Sequence, residues 1–314
     1  MFRILFLLFF LLSASAFGQD EAIDWINKNA CELKLNSTPK NDDLVFLSKE
    51  IRGRAVVGLG EASHGTREFY LQKSRMIEYL INRYDFKHLS FELPDSYMIP
   101  INQYLQSGRG NLKEHMRPIA LYNTEEIYKL FKWIREYNNN RSAKKKVQLI
   151  GVDNEEFWAN PLTRDRLMAE NIIKSYQSKK RKTIVWAHNL HIAKDTTMAN
   201  MPAMGSYLEE HFGKKFYAVG FDTYEGAVNV LENGNFKVHT FEGVEKSLSN
   251  TFSKAKYNAF FLSFKPGPFT GTTGLITNIY SNWQVPKPLP IRPGLDFDGI
   301  VFIRKTSASI RLTL

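Results

Sequence analysis

Short apolar runs rich in β-branched and aromatic residues alternate along this chain with segments of helical spacing, and few folds accommodate that alternation. Strands are expected at 55–60, 88–93, 147–152, 183–188, 216–221, 259–264 and 299–303, and helices at 68–84, 97–106, 124–137, 163–176 and 204–212. Strands separated by helices imply an α/β fold, a mainly parallel sheet covered by helices on both faces. Residues 226–239 read as a hairpin turning at Asn233-Gly234, which brings antiparallel strands into the C-terminal part. Prolines from Pro266 to Pro293 mark a long loop region able to fold over the sheet edge. With no repeat, low-complexity tract or linker, residues 19–314 are expected to form a single domain.

The first eighteen residues read differently. Arg3 precedes an apolar stretch from Ile4 to Leu12, followed by small residues from Ser13 to Gly18, the pattern of a secretory signal cleaved after Ala16 or Gly18. The stretch is short for a membrane span, so a retained anchor is the weaker alternative, and no stable membrane insertion is expected after cleavage. Cleavage would remove one basic residue, Arg3, and no acidic one, taking the formal net charge from +10 to +9. A single cysteine, Cys31, excludes an internal disulfide. The expected location is the bacterial periplasm or the exterior. The basic runs at 141–146 and 179–182 precede predicted strands, where solvated loops belong; contact with an anionic envelope surface or an acidic glycan is open, and no nucleic-acid recognition motif is present.

Chemistry concentrates at predicted strand ends. Behind the run Ala55-Val56-Val57 stands GLGEASHGTREF, residues 58–69, whose glycines permit a tight turn carrying Glu61, His64 and Glu68. Ser63 or Thr66 can cap the helix that follows. Glu92 ends the second strand and Asp153 the third; His188 ends the fourth, with His191 three residues on. A lone histidine is more often structural than catalytic, and Glu92 or Asp153 could serve as a helix cap. Four strand ends in one topological position favour an active site, because ligands of open α/β sheets bind beyond the carboxyl ends of the strands.

These residues resemble the erythromycin esterase family. The likeness rests on GEASHGTREFY at 60–70, FELP at 91–94, NTEEIYKLFKWIREYN at 123–138, GVDNE from Gly151, AHNLHIAK from Ala187, MGSYLEEHFG from Met204 and FDGIVFIRKTSAS from Phe297. The resemblance implies an α/β fold with a deep cleft, and hydrolysis of an ester or lactone by activated water with no covalent intermediate and no cofactor, with a link to macrolide resistance. By the same resemblance His64 is the general base, Glu61 and Glu92 are its acidic partners, and His188 and His191 form the second wall. Where the family commonly has an arginine nine residues after the base, this chain has Lys73, with Arg75 two further on. Lys73, Arg75, Asp153 and Tyr122 are therefore the expected substrate or oxyanion contacts. Only 34 residues separate Asp153 from His188, fewer than in macrolide-cleaving members, so the substrate carries over less well than the fold.

A neutral imidazole taking a proton from attacking water, oriented by a carboxylate, accounts for such a reaction. Three alternatives stand beside it. Ser63 could be a nucleophile, although Glu61 occupies the place of the first glycine of a GxSxG elbow. The His, Glu and Asp set could hold zinc or manganese, but His188 and His191 at i and i+3 point apart in a strand unless the chain turns at Asn189. A non-catalytic binder of a porphyrin or glycan is the third. Tyr122 and Trp158 are candidates for a cleft lining; Phe69 and Trp186 fall on core faces.

Overall fold

A computed structural model describes residues 18–35 and 42–313. The signal sequence lies outside the described residues except for Gly18, which stands just before the helix Gln19–Asn29. The strands are β1 (Cys31–Glu32), β2 (Val56–Leu59), β3 (His88–Pro94), β4 (Gln148–Asp153), β5 (Thr183–Trp186), β6 (Phe216–Glu232), β7 (Asn235–Glu242), β8 (Ala259–Ser263), β9 (Gly274–Ile276), β10 (Leu289–Ile291) and β11 (Gly299–Thr306). The main sheet runs β1-β8-β11-β6-β2-β5-β3-β4, with β7 on β6. From β11 to β4 every pairing is parallel, while β8, β1 and β7 join antiparallel. The expected mainly parallel sheet with antiparallel strands toward the C-terminus is the one observed.

Period-two alternation sends each central strand to two cores. Val57, Leu59, Ile184 and Trp186 pack with the helices Arg67–Tyr84, Asp95–Ser107 and Glu125–Asn138. Val56, Val185 and Ala187 pack with Pro161–Lys179, Met204–Phe212 and Leu248–Ser253 on the opposite face. Strands buried on both faces read as continuous apolar runs, which is why β2 and β5 are so plain in the sequence. At the outer edge of β4, the Asn102 amide donates to the Leu149 carbonyl (2.8 Å) and accepts from its N–H (2.9 Å), so a side chain completes part of the ladder. No helix among the described residues is long and apolar enough to cross a membrane.

Two differences from the sequence reading bear on the site. β6 continues unbroken through the expected end at 221 into the hairpin, whose turn at Asn233-Gly234 has positive φ at both positions. Within the proline-rich region β9 and β10 pair, and between them the chain returns to the first strand end, where the Ile279 N–H donates to the Ala62 carbonyl (2.8 Å).

The turn after β2 is tied down from far along the chain. The Gly65 carbonyl accepts from Asn229 (3.0 Å) and Ser309 (2.8 Å), and Arg67 N–H donates to the Ser307 carbonyl (2.9 Å). Gly65 has φ +72°, and a Cβ there would lie 2.0 Å from the Asn229 carbonyl oxygen. Gly65→Ala therefore meets both backbone strain and a clash with main chain. It should lower unfolding free energy by about 2 kcal/mol or more, whereas Gly234→Ala, at φ +77° in open space, should cost about half that. Urea unfolding of the two variants measures the difference, and equal losses would contradict it.

Candidate active site

Beyond Leu59 the chain leaves the sheet and turns, placing Glu61 wholly out of solvent. An unpaired carboxylate there would be expensive, and three donors satisfy it. Glu61 Oε1 accepts from His64 Nδ1 at 2.6 Å, and Oε2 accepts from Lys73 Nζ at 2.7 Å and from Trp186 Nε1 at 3.0 Å. Burial pushes the Glu61 pKa up, but Lys73 and His64 outweigh it and hold the carboxylate below its usual range. Lys73 is itself fully buried, 4.6 Å from the Trp186 ring centroid and 5.6 Å from that of Phe221. Burial lowers its pKa to about 8 against the opposing pull of Glu61, so the pair is ionised at neutral pH.

A carboxylate can only accept, so the proton of neutral His64 sits on Nδ1 and the Nε2 lone pair is left for chemistry. Nε2 has no hydrogen-bond partner among the described residues, and His64 is 8% exposed. Its ring lies 5.3 Å from that of His188 and 5.9 Å from that of Tyr122. His188 Nδ1 accepts the Leu190 N–H (3.3 Å), which leaves the proton of the neutral ring on Nε2. Burial, reinforced by His64, lowers the His188 pKa to about 3, so that ring stays neutral. His188 Nε2 and the Tyr122 hydroxyl are both buried without a partner in the protein. The Tyr122 hydroxyl is kept protonated by burial and by the charges of Glu61 and Glu92.

A second charge network braces the far wall. Arg164, from the helix Pro161–Lys179, reaches Glu92 at 2.9 Å and Asp153 at 2.7 Å. His191 is held between Glu92 (Nε2, 3.1 Å) and Asp165 (Nδ1, 2.8 Å), and Glu92 Oε2 also accepts the His188 N–H (3.1 Å). Burial disfavours the His191 cation, but Glu92 and Asp165 raise its pKa to about 10. Burial raises Glu92 too, and His191, Arg164 and His64 together hold it well below its usual range.

Glu61, His64, Glu92, Asp153, His188, His191, Lys73 and Tyr122 thus come together at the strand ends, several with partners other than the expected ones. Glu92 partners His191 and Arg164, with no hydrogen bond to His64. Lys73 points inward onto Glu61, and Asp153 is occupied by Arg164, Trp158 and the Asn154 N–H, so both expected substrate or oxyanion contacts are committed to protein partners. Arg75 does not join the cluster; it bonds Asp43 (2.6 Å) and the Lys34 carbonyl (2.7 Å). Glu68 accepts from the Ser307 N–H and hydroxyl, both at 2.6 Å, and leaves the site. The Ser63 hydroxyl is buried against Thr66 rather than bonded to His64, and Thr66 makes no capping bond. The chain does turn at Asn189: the helix Asn189–Ile192 starts there, with His188 as its N-cap. Arg164 and Asp165 were missed because they lie near the start of a helix, in LTRDR, away from any strand end; their one signal is a pair of charges beside a largely apolar face.

The model of the family described as Erythromycin esterase matches residues 81–161 and 154–306. The chain belongs to that family. Its relatives include a putative hydrolase, YbfO of Bacillus subtilis, 22% identical over 96% of this chain and 95% of the relative. The erythromycin esterase type II of Escherichia coli is 33% identical over 41% of this chain and 31% of its own length. Among solved structures, a Bacillus cereus protein aligns at TM-score 0.85 with 24% identity, covering 95% of this chain and 100% of its own. A mutant of the erythromycin esterase EreC in its open conformation aligns at TM-score 0.72 with 15% identity, covering 91% and 99%. These structures share the erythromycin esterase fold with this chain.

The His191 clamp has a signature in stability. Its folded-state pKa is raised, so its contribution is fully present below the unfolded value of about 6.5 and is lost as pH rises through about 10. Lys73, with its lowered pKa, acts in the opposite sense between about 8 and about 10.5. The difference in urea unfolding free energy between the parent and His191→Asn isolates the first effect. That difference should shrink steadily from pH 7 to pH 10; a constant difference would mean that His191 is neutral in its clamp.

Proposed function

We propose that this family member hydrolyses a carboxylic ester or lactone by direct attack of water that His64 activates. The observation carrying this reading is the His64 Nδ1–Glu61 bond of 2.6 Å, which leaves Nε2 as an unpartnered base beside two unpartnered donors. Water held by Nε2 gives up its proton as its oxygen attacks the carbonyl carbon, and Glu61 stabilises the imidazolium that forms. His188 Nε2–H and the Tyr122 hydroxyl receive the developing oxyanion, their alignment already set by packing. The imidazolium then protonates the leaving alkoxide as the tetrahedral intermediate collapses. Supporting water attack over covalent catalysis is the Ser63 hydroxyl's engagement with Thr66. Metal-free chemistry is favoured by the commitment of Glu61, Glu92 and Asp153 to cationic side chains. The exported location read from residues 1–18 belongs to the same proposal and points to a substrate met outside the cytoplasm.

His64→Ala should lower kcat by about 10²-fold or more. Tyr122→Phe keeps the ring and removes only an unpartnered hydroxyl, so it should lower kcat by about 10²-fold with an unchanged or higher unfolding midpoint. Ser63→Ala should retain most of the turnover and show no acyl burst. Near parental turnover in His64→Ala, or a trapped acyl group on Ser63, would defeat the mechanism.

The substrate is proposed to be smaller than a macrolide. Between Asp153 and His188 this chain places a short turn, the helix Pro161–Lys179 and β5, and the inner face of that helix is occupied in holding Arg164 and Asp165 against the site. Little of the segment is left to close over a large flexible ring, and lost positioning costs rate. Short acyl esters should be turned over while erythromycin is cleaved weakly or not at all. A kcat/KM above about 10⁴ M⁻¹s⁻¹ on a fourteen-membered lactone, within the ordinary enzyme range, would overturn this.

A further inference from the structure

The two basic runs of the sequence stay outside the hydrolytic site. Residues 141–146 lead into β4 and residues 179–182 into β5, so both lie at the amino ends of strands whose carboxyl ends carry Asp153 and His188. The fold joins them: the Arg181 guanidinium donates to the Ala143 carbonyl at 3.2 Å. Each run carries four cations and no acidic residue. None of the eight forms a salt bridge among the described residues; Asp85 nearby is paired to Lys87, and Glu136 lies on the helix Glu125–Asn138 that precedes the first run. Lys144, Lys145, Lys179 and Lys180 are exposed. Between the runs is a notch of about 330 Å³ with Lys146 and Arg181 in its lining.

Eight uncompensated cations on adjoining loops repel one another, and an anionic surface relieves that repulsion. The neighbouring aromatics are covered, Tyr137 by Arg141 and Tyr176 by Lys180, leaving no stacking platform for bases or sugar rings. Exposed lysine charges without such platforms suit the diffuse charge of a lipid surface, where each lysine or arginine adds attraction that falls off within a Debye length. We propose that this end of the sheet docks on anionic phospholipid headgroups, the notch admitting one headgroup phosphate, with the hydrolytic cleft facing away from the membrane.

The test is co-sedimentation of the full chain with vesicles of phosphatidylcholine alone and with about one third phosphatidylglycerol. Binding to the neutral vesicles reports the apolar N-terminal stretch, and the increment with anionic lipid reports the patch. That increment should be at least tenfold at low salt and should vanish near 0.5 M salt. The variant Lys144→Gln/Lys145→Gln/Lys179→Gln/Lys180→Gln should lose about tenfold or more of it, with ester hydrolysis and unfolding midpoint unchanged. The absence of an increment, an equal increment in the variant, or tight binding to a soluble acidic polysaccharide with none to vesicles would each overturn the proposal.

Discussion

The arrangement of this molecule depends on one buried carboxylate. Glu61 is withdrawn from water at the end of β2, and its ionised state survives because Lys73, Trp186 and His64 each supply a donor. Those partners come from the helix after the turn, from β5 and from the turn itself, so one charge fastens three elements together. The compact ammonium of Lys73 fits between the rings of Trp186 and Phe221 and offers its charge without needing the planar fork of an arginine. The tautomer of His64, on which any use of Nε2 as a base rests, follows from the same carboxylate.

Around this centre the charged and the neutral polar groups are treated differently. Charges are consumed: Glu92, Asp153 and Asp165 are saturated by Arg164 and His191. Two neutral donors, His188 Nε2 and the Tyr122 hydroxyl, are left unpaired in buried positions, which in a folded protein calls for an explanation. Under the proposed mechanism a reacting carbonyl supplies one. The ionic network holds the His188 turn through the His188 N–H bond to Glu92, so that donor is fixed by the fold itself.

Much of this was legible from residues alone, for identifiable reasons. Central parallel strands are apolar on both faces, so β2 and β5 stand out, and glycine and histidine at their ends mark where the backbone must bend and where titratable groups gather. Side-chain direction was harder to read. Lys73 and Arg75 stand two positions apart on one helix, which rotates them by about 200°, so only the first faces Glu61 while the second meets Asp43. Sequence proximity likewise suggested Glu68 as a member of the site, but its carboxylate is claimed by Ser307, a pairing no local pattern encodes. Arg164 escaped because a cation on a helix is ordinarily a solvated one; only the fold shows that its face turns toward two buried carboxylates.

The bonds that fix the turn at Gly65 run to Asn229, Ser307 and Ser309, and Thr124, at the head of the helix Glu125–Asn138, is bridged to Arg311. His64 is thus held in its turn by residues far along the sequence. The local bonds of the turn, His64 to Glu61 and the Gly65 N–H to the Tyr70 hydroxyl, lie within one short segment, whereas the bonds that pin it to the sheet need strands that come much later in the sequence. Long sequence separation between partners also slows the search for the native state. The rigid form of this turn and the closing of the sheet are thereby coupled.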